Sequence, residues 1–527
     1  GLMGLDGRST FFFLRICLAA VSSLCEAFFC HHFSRKFGAW MASITLLFMA
    51  CSPGLYHASV ATLPSTTTLY MVLLGFGSWA AGRWAVALVC GSFAVLLCMP
   101  PAALLWIPMG FAALLPRKFG LFKVVDVALV SLFTFVAVPS ILDGIYYGKS
   151  TFWAMGNHLL YNVFSSGGDL YGTEPWTFYI KNLLLNFNLV AVLAAVSVPL
   201  LLLSCSLEDL RKPTAAATAT TTTATASEGK SSMRLDRRAS WSLLLVVLVP
   251  MAATFGVFSK LAHKEERFLT MLYPLLCVAA AISAGLVLDA FEGIFGGIVG
   301  RSFVGRVGKL LEVLLLLGVA AISASRIAAL SLHFDAPLNV YSHFSRISAM
   351  DVPSDMGLCV GKEWYRFPGS FFLPKINGTG LVDGSCSAGS DSESCGTAAA
   401  PANDNQNARK VLPLLWLRSG FDGQLPGPFK EPYPVGLSAP RPEMNDRNKL
   451  VPSRYSEEWK CAFFADLRLP EDPPLENYWE PLFCQDFLDS DRSPFPWRSF
   501  WVPFVSYKKN SFAQYCIFRR RPDELGK

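Results

Sequence analysis

The sequence predicts a mainly α-helical protein that crosses a membrane about ten times and ends in a small mixed α/β domain. Hydrophobic residues make up 52% of the 527-residue chain and charged residues only 16%, which is too apolar for a soluble protein of this length. Apolar segments recur through the first 330 residues, whereas the remainder is mixed, aromatic and proline-rich. These observations predict a membrane core followed by a domain outside the bilayer.

Ten apolar segments approach the length of about 20 residues that an α-helix needs to cross a bilayer. The fourth and fifth are separated only at Pro100-Pro101. We expect this pair to end one helix and begin the next, the alternative being a single kinked helix. The ten segments are residues 9–30, 38–55, 66–81, 84–99, 101–115, 124–143, 177–205, 241–259, 268–289 and 310–330.

With that division, the loops between the segments alternate in their content of Lys and Arg. One set of loops holds 15 of these residues and the other set holds four. By the positive-inside rule the first set is cytosolic, so loops 56–65, 144–176 and 260–267 are lumenal, as are both chain ends. The 15 residues are Arg35, Lys36, Arg83, Arg117, Lys118, Lys123, Arg211, Lys212, Lys230, Arg234, Arg237, Arg238, Arg301, Arg306 and Lys309.

Composition divides the chain into four regions. Residues 1–204 and 240–330 form the two parts of the transmembrane core, and residues 331–527 form a lumenal C-terminal domain. Residues 205–239 are predicted to be a cytosolic Thr/Ala-rich linker, because such a composition cannot bury a core. Residues 377–409 are rich in small and polar residues and predict a disordered insertion.

Several classes of site are not expected. The net charge of +6 comes from short basic clusters between apolar segments, which act as topology signals, so we expect no nucleic-acid partner. The 14 cysteines show no metal-ligand spacing, and we expect no metal. Cys359 and Cys461 could form a disulfide in an oxidising compartment. The chain begins with Gly1 and lacks a signal-peptide pattern, so we expect an N-terminally incomplete sequence.

One predicted lumenal loop concentrates charge. Residues 263–268 read His-Lys-Glu-Glu-Arg-Phe, which places three potential cations and two carboxylates within five residues. Such a run suits a phosphate leaving group at the headgroup plane, because Arg offers a bidentate fork, Lys a point charge and His a switchable donor. The candidate phosphate ligands are therefore His263, Lys264 and Arg267. The alternative is that these charges flank two helices and pair with each other and with lipid headgroups.

A second predicted lumenal loop, residues 169–176, is rich in aromatic and acidic residues. Tyr171 and Trp176 can stack on sugar faces, and Asp169 and Glu174 can accept hydrogen bonds from sugar hydroxyls. Anchoring at the membrane interface is the alternative for the two aromatic residues. These four residues, with Glu265 and Glu266 of the charged loop, are our candidates for contacts with a sugar or an acceptor.

The run 263–268 and the following Tyr273-Pro274 resemble the lipid-phosphate-mannose-dependent mannosyltransferases, which are glycosyltransferase family 22 of the GT-C architecture. The resemblance covers nearly the whole chain apart from the linker and the insertion. It is closest to the branch of α-1,2-mannosyltransferases that extend the dolichol-linked oligosaccharide of N-glycosylation. The runs that match this branch are 169–176, 360–371, 444–446 and 452–455.

The resemblance implies a GT-C helical bundle in the endoplasmic-reticulum membrane, with a lumenal site and no cofactor. It implies dolichyl-phosphate-mannose as donor and a dolichyl-diphosphate-linked high-mannose oligosaccharide as acceptor. Transfer from a β-linked donor to an α-linked product inverts, and needs a carboxylate base as well as cations at the departing phosphate. In this family the acidic residue that serves as the base follows an earlier transmembrane helix. We therefore expect the base to lie upstream of Gly1, and we expect this chain to be inactive alone.

Three other functions remain open at this stage. A mannosyltransferase of glycosylphosphatidylinositol-anchor synthesis is the nearest enzyme, and acceptor choice distinguishes it. A transporter would also have about ten helices, but should place polar groups or broken helices at the bilayer midplane. A non-catalytic membrane scaffold is the third.

Overall fold

The computed structural model shows two compact units. The helical unit comprises Leu14–Ala328 and Pro428–Asn448, and the sheet unit comprises Gly1–Phe13, Ala329–Gly427 and Lys449–Lys527. The residues that the structure describes are 6–115, 118–148, 152–161, 167–215, 235–347, 352–353, 356–376, 410–427, 443–521 and 523.

The unit boundaries can be compared with the four predicted regions. The sheet unit resumes at Ala329, next to the predicted boundary after residue 330, and it also includes the first residues of the chain. The predicted insertion 377–409 and linker residues 216–234 lie outside the described residues. The described start of the predicted linker is helical and continues to Ala215.

Helices follow one another along the helical unit. Short π-helical turns continue several of them, as at Ala94–Cys98 after the fifth helix. The helices are α1 (Gly7–Phe37), α2 (Ala39–Cys51), α3 (Pro53–Ala58), α4 (Pro64–Ala80), α5 (Trp84–Phe93), α6 (Ala103–Leu114), α7 (Leu121–Leu132), α8 (Val138–Tyr146), α9 (Ala154–Leu159), α10 (Thr177–Ala195), α11 (Ser197–Ala215), α12 (Arg237–Leu243), α13 (Val249–Lys260), α14 (Tyr273–Phe295) and α15 (Arg301–His333).

Five helical stretches among the described residues are long and apolar enough to cross a membrane. The predicted count of ten is therefore not confirmed, although the multi-pass membrane architecture is. Helix-breaking residues shorten some predicted spans: α2 has 13 residues because it lies between Gly38, at φ 99°, and Pro53. The five stretches are Gly7–Phe37, Leu121–Tyr146, Thr177–Leu207, Arg237–Lys260 and Glu266–His333.

The predicted break at the paired prolines is confirmed. Met99 is extended, with φ −145° and ψ 99°, and separates α5 with its π-helical turn from α6. The indole nitrogen of Trp106 in α6 donates to the Ala87 carbonyl of α5 at 3.1 Å. The two short helices therefore fold back on each other instead of forming one kinked helix.

A second break lies inside α10, at Asn188. This residue has φ 41° and ψ −121°, which no helix accommodates. Its side chain replaces the lost helical contacts: the amide nitrogen donates to the Ser323 hydroxyl at 2.9 Å, and the amide oxygen accepts from the Leu189 backbone at 2.6 Å. Because Ser323 belongs to α15, the break is also a polar link between two helices.

The sheet unit is a mixed five-stranded sheet in the order β4-β1-β5-β7-β6. Strand β1 runs parallel to β4 and β5, whereas β7 is antiparallel to β5 and β6. A separate pair, β2 and β3, is antiparallel. The strands are β1 (Gly357–Val360), β2 (Lys375–Ile376), β3 (Lys410–Val411), β4 (Leu414–Trp416), β5 (Cys461–Arg468), β6 (Trp479–Leu488) and β7 (Phe512–Arg520).

Helix α16 (Ala336–Phe344) packs on this sheet, and α17 (Ser506–Lys509) is a short turn before β7. Tyr341 and Phe344 of α16 are buried in one cluster with Leu358 of β1 and Tyr515 of β7. A helix docked on one face of a sheet is a stable two-layer arrangement. The predicted mixed α/β domain after the helical core is confirmed.

Two disulfides fasten the sheet. Cys359 of β1 and Cys461 of β5 are bonded, with Cα atoms 5.4 Å apart, which confirms the pairing that the sequence left open. Cys484 of β6 and Cys516 of β7 form a second bond that the sequence did not predict. Because the two pairs are 102 and 32 residues apart in sequence, both bonds restrict the unfolded chain.

We expect Gly91→Ala to lower the stability of the helical unit. A Cβ atom at Gly91 would overlap the Trp106 ring, and such overpacking typically costs about 1–3 kcal/mol. Gly110→Ala is the matched control, since a Cβ there meets no atom within 4 Å, and alanine is the better helix former. Thermal unfolding in lipid nanodiscs measures both, and equal midpoints for the two variants would contradict the close packing.

Candidate functional site

Two loops that the sequence singled out separately lie side by side in the helical unit. The backbone amide of Glu174 donates to the Ala262 carbonyl at 3.0 Å. The Lys264 ammonium donates to the Glu174 carbonyl at 2.7 Å, and Nδ1 of His263 lies 2.9 Å from the Gly172 carbonyl. Segments about 90 residues apart in sequence therefore form one surface.

The charged loop changes conformation within its run of charges. Glu265 is extended, with φ −130° and ψ 146°, and a 3₁₀ helix begins at Glu266. Lys264 is 6% exposed and, like Glu266, contacts residues outside the charged loop. His263 and Arg267 both contact Glu265, and Arg267 is the most exposed of these three, at 48%; we call the three residues the outward cluster.

The outward cluster joins an arginine and a histidine through one carboxylate. Arg267 holds Glu265 with two nitrogens, Nε at 2.5 Å from Oε2 and Nη2 at 2.8 Å from Oε1. Nε2 of His263 lies 3.1 Å from Oε1 of the same carboxylate. The two neighbours of His263, the Gly172 carbonyl and this carboxylate, are both acceptors, so both bonds form together only when each ring nitrogen carries a proton.

Lys264 was predicted to bind phosphate, and the structure gives it other partners. Its buried ammonium donates to the carbonyls of Leu261 and Glu174. One of these bonds stays within the segment of Lys264 itself, and the bond to Glu174 ties the two loops together. A phosphate contact by Lys264 stays a prediction.

Glu266 anchors the charged loop to three elements of the helical unit. Its Oε1 atom lies 3.1 Å from Nε2 of His57 in α3 and accepts from Nδ2 of Asn186 in α10 at 2.9 Å. The same Asn186 nitrogen lies 2.8 Å from Oδ1 of Asn182. Nε of Arg326 in α15 donates to Oδ1 of Asn186 at 3.5 Å, so the contacts form a continuous network.

Sequence reasoning missed the partners of Glu266, although part of the signal was present. Asn182 and Asn186 are four residues apart in an apolar helix and therefore share one face. Arg326 is a charged residue within the predicted span 310–330, and such a residue is expected to face protein or water. Nothing in the sequence around His57 identified it.

The four predicted sugar contacts of the second loop are all exposed. Tyr171 and Trp176 are 53% and 65% exposed, and Asp169 and Glu174 are exposed as well. The Tyr171 ring lies next to the outward cluster, 6.3 Å from the His263 ring. An exposed aromatic face beside charged groups is suited to stacking on a sugar.

A third segment, residues 446–448, also contacts this surface. The sequence did not predict this contact. The Tyr161 hydroxyl donates to the Asp446 carbonyl at 2.6 Å, and the Asn448 amide donates to the Leu170 carbonyl at 3.1 Å. A hydrogen bond with Tyr171 and partial burial raise the pKa of Tyr161 to about 12. Tyr161 therefore stays neutral at physiological pH.

The arrangement is suited to binding an anion next to a polar, aromatic surface. Guanidinium and imidazolium groups recognise phosphate through directed N–H donors. The structure shows no group of three or more His, Cys, Asp or Glu side chains among its described residues that could hold a metal ion. The absence of a metal stays a prediction.

The chain is similar to known mannosyltransferases. The Alg9-like mannosyltransferase family matches residues 2–374. The α-1,2-mannosyltransferase ALG9 of Mus musculus is 32% identical over 532 residues, which cover 97% of this chain and 76% of the mouse protein. GPI mannosyltransferase 3 of Candida albicans is 27% identical over 167 residues, which cover 31% of this chain and 33% of that protein.

The chain is also similar, more weakly, to a solved structure. This is the structure of ArnT from Cupriavidus metallidurans bound to undecaprenyl phosphate, with a TM-score of 0.38 and 13% identity. The match covers 69% of this chain and 72% of that chain. A TM-score of this size is too low to support an argument about the site.

We expect Glu266→Ala to destabilise the helical unit, because it removes the acceptor shared by His57 and Asn186. Hydrogen bonds to a charged group contribute about 1.5–3 kcal/mol, and Glu266 is 36% exposed, so we expect a loss of about 1–2 kcal/mol. Asp169→Ala, an exposed carboxylate on the neighbouring loop, should change stability by less than about 0.5 kcal/mol. Thermal unfolding in nanodiscs compares them, and a smaller effect at Glu266 than at Asp169 would reject the anchoring role.

Proposed function

This chain belongs to the Alg9-like mannosyltransferase family, and we propose that it transfers mannose from dolichyl-phosphate-mannose to a dolichyl-diphosphate-linked high-mannose oligosaccharide of N-glycan precursor synthesis, forming an α-1,2 bond. Membership makes it a glycosyltransferase with a lipid-linked sugar donor and an oligosaccharide acceptor. The outward cluster, placed beside the exposed Tyr171, is the observation that supports a role in releasing a phosphate.

In the proposed reaction an acceptor hydroxyl oxygen attacks the anomeric carbon of the donor mannose. The bond from that carbon to the phosphate oxygen breaks, the hydroxyl proton passes to a base, and dolichyl phosphate leaves. A β-linked donor and an α-linked product make the displacement inverting. Negative charge grows on the departing phosphate, so cations placed there lower the barrier. We propose none of the residues that the structure describes as the base that accepts this proton.

We assign the departing phosphate to Arg267 and His263. The Arg267 side chain is 48% exposed, and its contact with Glu265 uses one edge of a guanidinium that carries five N–H donors. Glu265 holds the two cations within reach of each other, so a phosphate can bind the outer edge of Arg267 or displace the carboxylate from both.

The remaining candidates divide into contacts and supports. We assign Tyr171 and Trp176 to stacking on a sugar, because both are more than half exposed. Asp169 and Glu174 offer exposed carboxylates to sugar hydroxyls. The contacts of Glu266 with α3 and α10 favour a supporting role instead of a direct contact with the acceptor.

We further propose that the protein resides in the endoplasmic-reticulum membrane with the charged loop on the lumenal side. Two disulfides in the sheet unit are typical of an oxidising compartment. The distribution of Lys and Arg among the loops supports the same orientation. Glycosylphosphatidylinositol-anchor synthesis is less well supported, since the relative with that name matches less than a third of this chain.

A transfer assay tests this proposal. Nanodiscs carry the chain, either alone or with the N-terminal segment of a longer relative attached, and receive radiolabelled dolichyl-phosphate-mannose and defined lipid-linked acceptors. The product is digested with an α-1,2-specific mannosidase. With the segment attached, we expect label on the N-glycan precursor acceptor, released by the mannosidase, and none on a glycosylphosphatidylinositol precursor. Label only on the latter, or on no acceptor with either form, would overturn the proposal.

We expect Arg267→Ala to slow transfer by roughly 100-fold or more, the usual effect of removing a donor that stabilises developing negative charge. Arg267→Lys should restore only part of the rate, because lysine lacks the bidentate fork. Lys260→Ala is the matched control, a nearby cation exposed at the end of α13, and should transfer normally. Initial rates and donor binding are measured for each variant, and equal effects at positions 260 and 267 would reject the phosphate role.

A further inference from the structure

Residues 493–511, between β6 and β7 of the sheet unit, form what we call the aromatic loop. Four large apolar or aromatic side chains in this short segment are exposed. Phe504 is 88% exposed, Tyr507 is 67%, Phe495 is 66% and Val502 is 37%. Water solvates such surfaces poorly, and a contiguous exposed apolar patch usually marks a contact with a partner or a membrane.

The aromatic loop is an ordered structure. The Val502 amide donates to the Ser506 hydroxyl at 2.8 Å, and the buried Ser506 hydroxyl donates to the Phe500 carbonyl at 3.1 Å. The side-chain amide of Asn510 donates to the Trp497 carbonyl at 3.0 Å. These bonds hold the backbone that carries the exposed side chains.

Phe504 projects from a strained backbone. Its φ is 63°, which lies in the left-handed region that large side chains rarely adopt. Backbone strain of this kind persists only where the surrounding structure enforces it, and it is often connected with function. The residue with this backbone conformation also carries the most exposed aromatic side chain of the loop.

The base of the aromatic loop lies at the end of a membrane-spanning helix. The ring of Phe512, the first residue after the loop, is 5.8 Å from the ring of His333, which ends α15. Strand β6, which precedes the loop, contacts the residue after His333: the ring of Phe487 is 5.5 Å from the ring of Phe334. The loop therefore starts close to the point where the chain leaves the apolar span that ends at His333.

The charge of the aromatic loop matches a phospholipid surface. Its charged residues are Arg498, Lys508 and Lys509, and residues 493–511 contain no Asp or Glu. Aromatic residues accompanied by Lys and Arg are typical of the membrane interface, where rings enter the headgroup layer and cations meet phosphates. A glycan-binding surface would also need acceptors for sugar hydroxyls, and this loop offers no carboxylate for them.

We propose that the aromatic loop inserts into the headgroup layer of the bilayer and anchors the sheet unit to the membrane surface. The partner is the phospholipid itself, contacted by Phe504 and Tyr507 and bound electrostatically by the three cations. This anchoring does not depend on the reaction that the protein catalyses.

Photo-crosslinking in the full chain tests the proposal. The photoreactive residue benzoylphenylalanine replaces Phe504 in a protein reconstituted into phosphatidylcholine nanodiscs that contain an alkyne-tagged phosphatidylcholine. Because Phe504 points outward, the larger ring needs no repacking. After irradiation, the tagged lipid attached to the protein is quantified, and we expect at least ten times more lipid adduct at position 504 than at a control position.

Trp459 is the control, since it is also exposed, at 49%. It lies two residues before β5, and the start of β5 pairs with the end of β7, at the opposite end of the strands from the loop. A strand the length of β7, nine residues, separates the two ends by about 30 Å. The reagent at Tyr507 should behave like that at Phe504, so the result does not depend on one position. Equal lipid labelling at 459 and 504, or adducts at 504 with a polypeptide or glycan in place of lipid, would overturn the proposal.

Discussion

Glu266 is the acceptor on which the arrangement of the charged loop depends. It receives hydrogen-bond donors from α3 and α10, and through Asn186 it is linked to Arg326 in α15. Polar groups among apolar helices must find partners within the protein, because lipid offers none. The carboxylate satisfies that requirement and, at the same time, fixes the loop that follows α13. A carboxylate in a motif expected to contact substrate therefore also holds the loop against neighbouring helices.

The contacts of residues 263–267 divide between other elements and the run itself. Lys264 and Glu266 bind groups elsewhere in the helical unit, whereas His263 and Arg267 both contact Glu265. The chain passes from the extended Glu265 into a 3₁₀ helix that begins at Glu266. The hydrogen bond from the Glu174 amide to the Ala262 carbonyl ties the start of this run to the neighbouring loop.

The two charged and aromatic loops could be selected from the sequence because unusual composition is a local property. Their partners could not, since Tyr161 meets Asp446 across 285 positions and His57 meets Glu266 across 209. The membrane class followed directly from composition, whereas the number of spans did not. Helix length depends on where Gly and Pro interrupt an apolar run, and Asn188 breaks α10 through a contact with another helix.

By itself the sequence determined a membrane protein with a mixed α/β domain and the resemblance to mannosyltransferases, and it singled out the two loops that the structure brings together. Only the tertiary structure decided which partners the charges of residues 263–267 have, that Cys484 pairs with Cys516, and that an aromatic loop starts beside the end of α15. Hydropathy and charge are summed along neighbouring residues and can be read in order. Hydrogen bonds and ring contacts depend on which distant segments pack together, and that is settled by the fold as a whole.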